Sequence, residues 1–122
     1  MVSLHPVARP EEYVFTCVTG ANGLDIATAG LDVAAAIVEQ EGVTVVLPRE
    51  QADAAGLSYD FVAAWITLTA DTALTDVGIT ASFAAALRDA GISCNVLAGV
   101  HHDHVLVPVD QKDAALAVLS AL

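Results

Sequence analysis

Basic residues are scarce in this chain. Lys and Arg number four (Arg9, Arg49, Arg88 and Lys112) against 15 Asp and Glu, for a formal charge of −11. No basic run forms, so a phosphate backbone or an anionic lipid surface would be repelled rather than bound. Neither nucleic acid nor membrane is therefore expected as a partner. The acidity reads chiefly as a source of solubility, with a cation-binding surface as the alternative. Cysteine is equally sparse. Cys17 and Cys94 each sit within an apolar run and read as small buried hydrophobes, too few for a disulfide framework, which points to a reducing, cytoplasmic compartment. Aromatics are only 5% although hydrophobic residues reach 56%, much of it Ala and Val. The core is thus expected to be built from small side chains. No apolar run approaches the roughly 20 residues of a membrane span. The opening Met1-Val2-Ser3-Leu4-His5-Pro6 has neither the charged region nor the long apolar stretch of a signal peptide.

The usual marks of catalysis are missing as well. Ser3, Ser58, Ser82, Ser93 and Ser120 lie in no nucleophile elbow, and there is no phosphate loop or dinucleotide fingerprint. Asp76 with His104 would suit acid/base work, but no nucleophile accompanies them. The expectation is a protein that is not an enzyme and needs no cofactor.

The elements present follow from periodicity. A chain of 122 residues can bury roughly two thirds of its unfolded surface, so one compact globule is expected. Residues 1–12, broken by Pro6 and Pro10, read as an irregular lead-in. Tyr13 to Thr19 alternates as a strand. Gly20 to Gly30 reads as loop or a very short helix. Ala34 to Gln40 and Val43 to Leu47 read as strands joined at Glu41-Gly42, and Pro48 to Ala55 as a short helix ended by Gly56. Val62 to Thr69 is a strand with Ala64, Ile66 and Leu68 on one face. Trp65 lies on the other face, which the other unit or a second chain is expected to cover. Val77 to Ala90 carries an apolar stripe of Ile79, Phe83, Ala86, Leu87 and Ala90 at helical spacing, closed by Gly91. Ile92 to Ala98 and His104 to Val109 are strands. Asp110 reads as an N-cap for a last helix over Ala114 to Leu122.

The order repeats, and so do residues. Pro48 to Ala55 and Pro108 to Ala115 share five of eight positions at an offset of 60, and Phe15-Thr16 matches the register of Ile66-Thr67 at an offset of 51. Duplication predicts two units, 1–58 with a shortened first connection and 59–122 complete. Each is strand, connection, strand, strand, helix. That order gives an α+β, ferredoxin-like β-α-β-β-α arrangement, an antiparallel sheet with helices on one face.

Three segments are candidates for chemistry. In His101-His102-Asp103-His104, an extended chain would put His102 and His104 on one side, as a metal pair lacking a third ligand, as part of a pocket or interface, or as a plain hairpin turn. In Thr75-Asp76-Val77-Gly78-Ile79, Thr75 or Asp76 caps the following helix. The helix N-terminus could also receive a carboxylate, and Gly78 leaves room for a ligand. Asn95, among apolar neighbours, either braces a loop or reads a ligand.

These residues resemble the ACT domain, a small regulatory module. Its strand, Asp-x-Gly turn, helix and Gly-Ile-x-x-Asn entry correspond to Ile66 to Thr69, Asp76-Val77-Gly78-Ile79 and Gly91-Ile92-Ser93-Cys94-Asn95-Val96. More narrowly, the chain from about Pro6 is similar to small bacterial ACT-like proteins with two tandem units. Glu12-Tyr13-Val14-Phe15, Glu39 to Thr44, Leu74 to Ala81 and His102 to Pro108 carry that likeness. The resemblance implies a small-molecule ligand, usually an amino acid, held by Asp76, Val77, Gly78 and Ile79 with Asn95 and Val96. His102 and His104 are added from the last motif. The first unit lacks the Asp-x-Gly turn. No catalytic or DNA-binding domain is attached, so a homo-oligomer or another protein must respond to the ligand. The competing readings are an interaction module acting through oligomerisation without a ligand, and a metal-binding protein using His101 to His104.

Overall fold

Two prolines among the first ten residues do not prevent a strand. The computed structural model describes residues 3–19 and 30–122, and its first strand, β1, runs over Pro6–Val18. The expected lead-in is thus a strand from Pro6 onward. Pro6 opens it, where a missing N–H costs no ladder bond, and Pro10 is exposed. The polar Arg9, Glu11 and Glu12 hide the alternation in the sequence. There follow β2 (Ala35–Glu39), β3 (Gly42–Pro48), α1 (Arg49–Ala54) and β4 (Val62–Leu68). Then come α2 (Ile79–Asp89), β5 (Asn95–Ala98), β6 (Asp103–Pro108), a 3-10 turn (Val109–Gln111) and α3 (Lys112–Ser120). The expected loop or short helix over Gly20 to Gly30 lies almost wholly outside the described residues.

Contacts divide the chain into two units, Glu11–Val62 and the N-terminal residues through Pro10 together with Ala63–Leu122. In the 11–62 unit the strand order is β2-β3-β1, all antiparallel. The β2–β3 turn is Gln40-Glu41, because Gly42 already pairs with Glu39. Val14, Val43, Val45, Leu47 and Ala52 of α1 form its core, with Val18 and Tyr59 packed against it. Cys17 alternates with Val14 and Val18, so it points away from that core. It is exposed, not buried as its apolar neighbours suggested. Gly56, at φ +69, ends α1 in a Schellman turn: its N–H bonds Asp53 O (3.2 Å) and that of Leu57 bonds Ala52 O (2.9 Å).

The 63–122 unit shows the full β-α-β-β-α order, with β4, β6 and β5 side by side. β6 is antiparallel to both β4 and β5. Ala64, Ile66 and Leu68 of β4 meet Val105 and Val107 of β6, Phe83 and Leu87 of α2, and Ala115 and Leu119 of α3 in one buried cluster. The helical stripe thus faces the sheet as its period requires. Gly91 (φ +74) closes α2 by the same Schellman pattern, Gly91 N to Arg88 O and Ile92 N to Leu87 O, both 2.9 Å. That turn takes up Ile92, so β5 starts at Asn95 rather than Ile92.

The two matching proline octamers occupy equivalent junctions. Pro48 (φ −56, ψ 136) and Pro108 (φ −52, ψ 136) each end a strand and lead straight into helical turns. Asp110 falls inside the 3-10 turn, and α3 starts at Lys112 without a side-chain cap. The expected N-cap is therefore not made, because the 3-10 turn already supplies the helix with its start.

Candidate functional site

The turn between β4 and α2 is held by bonds to the N-terminal residues and by bonds within the turn. Thr69 N and Thr69 Oγ1 both donate to His5 O, at 3.1 and 2.7 Å, and Ala70 N donates to Leu4 O at 3.1 Å. The N-terminal residues therefore run antiparallel beside the end of β4. Asp76 Oδ2 accepts from Ala73 N at 2.6 Å while Asp76 N donates to Ala73 O at 3.0 Å. Its carboxylate closes this turn and does not cap α2. The N-cap is Gly78, in the left-handed region (φ +88, ψ −9), with no side-chain cap bond. A glycine is suited to that backbone, and the helix starts at Ile79 rather than Val77.

A cleft of about 440 Å³ opens at this turn, within the size range of small-molecule sites, roughly 300–1,000 Å³. Leu4, Ala70, Val77, Ile79 and Leu122 supply its apolar lining; Ser3, Asp71, Thr72 and Ser82 supply the polar groups, beside Gly78. Ile79 also packs against the core, whereas Val77 is 96% exposed. A smaller cleft of about 90 Å³ adjoins it, sharing Thr72 and Ile79 and bounded by Asp76, Ala98 and Asp103.

The candidate residues thus fall into three places. Val77, Gly78 and Ile79 line the larger cleft, and Asp76 the smaller one. Val96 faces the helix-side core, opposite Val105, while Asn95 pairs with Leu106 on the other face of the sheet. Asn95 is exposed at the first position of β5, so it is not the buried amide expected from its neighbours. His104 shares that other face with Trp65 and Thr67. His102 lies in the turn before β6, with Nδ1 buried and unbonded, and Gly99 N donates to its carbonyl oxygen at 2.9 Å. Among the described residues no three His, Cys, Asp or Glu side chains gather as metal ligands.

His104 has a different task. Trp65 Nε1 donates to Thr67 Oγ1 (3.1 Å) and to His104 Nδ1 (3.3 Å), and Thr67 Oγ1 lies 3.0 Å from the same nitrogen. An indole N–H only donates, so where it bonds His104 the Nδ1 atom accepts, which suits the neutral imidazole. The Arg9 guanidinium stacks 4.2 Å from the centre of the Trp65 ring, and the His104 ring lies 5.2 Å from it. These neighbours help leave Trp65 only 2% exposed, so the cover it needs is found in this unit. Burial first, then the charge of Arg9 and that of His102, lowers the His104 pKa, with Asp103 opposing. The unfolded chain therefore takes up the proton first. The stability His104 contributes is complete above its unfolded pKa of about 6.5 and is lost as pH falls through the lower folded value. Urea unfolding followed by Trp65 fluorescence should show weaker stability at about pH 5 than at about pH 7. His104→Leu should remove part of that slope; an unchanged slope would contradict the assignment. Burial also raises the thiol pKa of half-buried Cys94, which keeps it a packing residue.

Sequence reasoning missed Ser3, Leu4, Ala70, Asp71, Thr72, Ser82 and Leu122 as cleft-lining residues. Only the pairing of the N-terminal residues with the end of β4 brings them together, and no local motif marks it.

Comparison with known proteins settles the family. The ACT domain matches residues 1–64 and, a second time, residues 61–121. The chain belongs to the ACT-domain family. Its ACT repeats match the tandem order of elements above. A protein of unknown function from Vibrio cholerae, described as a possible transport protein, has a solved structure that is 40% identical. It superposes with a TM-score of 0.87 over 97% of this chain and 88% of that one. The ligand-free regulatory subunit of aspartate kinase from Thermus thermophilus shares the ACT fold at 10% identity. Its TM-score is 0.70, over 93% of this chain and 92% of that one. A protein from Agrobacterium tumefaciens does so at 16% identity and a TM-score of 0.71, over 91% and 82%. No curated protein matches the chain. Among the described residues no helix is long and apolar enough to cross a membrane.

Proposed function

We propose that this ACT protein is a non-catalytic regulatory or sensor protein that binds a small molecule, an amino acid, in the cleft between the end of β4 and the start of α2. The observation that carries the reading is the coincidence of that cleft with Val77, Gly78 and Ile79, the turn by which the chain resembles ACT domains. Asp76 keeps the turn in shape from the adjoining cleft. Asn95, His102 and His104 lie apart from the larger cleft and stand as weaker members of the site; Val96 supports it through the core. Membership of the ACT family and the likeness to an aspartate kinase regulatory subunit support a regulatory role. The chain is read as a degenerate unit over 1–58 and a complete one over 59–122, with the ligand on the second. A second copy of the chain is the expected partner, since the outermost strand β2 leaves Ile37 and Val38 exposed.

A thermal-shift screen against the amino acids tests this. A ligand that binds only the native state should add about 2.7 kcal/mol at 100 times its Kd. Ser82→Leu, which narrows the cleft from the first turn of α2, should abolish the shift. No shift at millimolar ligand, or shifts that survive Ser82→Leu, would sink the proposal. Sedimentation of the same samples checks self-association, which a strict monomer would remove from the reading.

A further inference from the structure

We infer that the ligand carries a short aliphatic chain and an ammonium group, and that the Asp71 carboxylate receives the ammonium. This deepens the reading above and rests on it. Three observations point the same way. First, the cleft wall is mostly hydrocarbon: Leu4, Ala70, Ile79 and Leu122 leave it little to hydrogen-bond with beyond hydroxyls. A polar side chain bound there would lose water without replacement, whereas an aliphatic one gains with each CH₂ it buries. Second, Val77 stands at the mouth of the cleft and is 96% exposed. It has no core to serve, so an apolar ligand is what would cover it. Third, Asp71 is the single ionisable side chain lining the cleft, and it makes no hydrogen bond or ion pair among the described residues. No Lys or Arg lines the cleft, so nothing there offsets the charge of a net anion. The protein as a whole carries −11 and repels anions further. The unpartnered Asp71 carboxylate therefore favours a ligand that brings its own positive group. Leucine, isoleucine and valine meet these conditions; aspartate and glutamate do not.

Calorimetric titration of the full chain tests the inference, with leucine, alanine, aspartate, lysine and isocaproate (leucine without its ammonium) as probes. Leucine should bind at least about tenfold more tightly than alanine, from its additional buried carbons. Isocaproate should bind more weakly than leucine. Asp71→Asn should weaken leucine binding roughly fivefold, the upper range for an exposed charge pair, and leave the melting of the free protein unchanged. Preference for aspartate or lysine, abolished by Ser82→Leu, would overturn the aliphatic inference but keep the site. Equal binding of isocaproate, or an unaltered affinity in Asp71→Asn, would overturn the role of Asp71. Failure of every amino acid to bind would overturn both this inference and the functional reading beneath it.

Discussion

Phe83→Ala should lower the unfolding free energy by about 3–5 kcal/mol. Phe83 is fully buried and is the largest side chain that α2 contributes to the core. It packs among Ile66, Leu68, Leu87, Val105 and Leu119. Removing the ring forfeits its transfer free energy and leaves a cavity that strands on one side and α3 on the other cannot close. The loss has a functional side, because α2 carries Ile79 and Ser82 into the cleft. Urea unfolding followed by Trp65 fluorescence reads the effect directly, since Trp65 is the only tryptophan and belongs to the same unit. A loss below about 1 kcal/mol would mean that the core is not packed as described.

Gly42→Ala should cost about 3 kcal/mol, combining a strained backbone with a collision. Gly42 has φ +150, and a Cβ there would lie 2.7 Å from Val18 O and 2.9 Å from Cys17 Sγ. The carbonyl belongs to the neighbouring strand, where Val18 pairs with Val43, so it cannot move without breaking the ladder. Gly56→Ala is the control. Its φ of +69 is also left-handed, but nothing lies within 4 Å of the added carbon, so it should cost only about 1 kcal/mol. Chemical denaturation followed by circular dichroism, with amide exchange at Val43 to Val46, compares the two. Equal losses would show that the close approach to β1 is not real.

Much of the fold was legible because period and punctuation agree. The α2 stripe, the alternation in β4, and glycines 56 and 91 each point to one local structure, and the octamer repeat marks two strand-to-helix junctions. What failed was burial, which depends on the face a residue presents. Cys17 and Asn95 sit in apolar company along the chain, yet both are exposed, Asn95 at the start of the outermost strand β5. The caps failed for a related reason. Asp76 and Asp110 have the right chemistry, but Asp76 is already bonded within its own turn and Asp110 falls in a 3-10 turn. The β4–α2 turn itself was visible in Asp76 to Ile79. Its cleft was not, because part of the wall comes from Ser3, Leu4 and Leu122, at opposite ends of the sequence. The same limit hides the hydrogen bonds that His104 makes. His104 is committed to Trp65 and Thr67 on the other face of the sheet.

Amide chemical-shift mapping of the full chain during titration with leucine tests the central claim most directly. Saturable shifts are expected along Ala70 to Ser82 together with Leu4 and Leu122, at sub-millimolar to millimolar concentration. Shifts confined to Asn95, His102 and His104, or none with any amino acid, would contradict a ligand site at the start of α2.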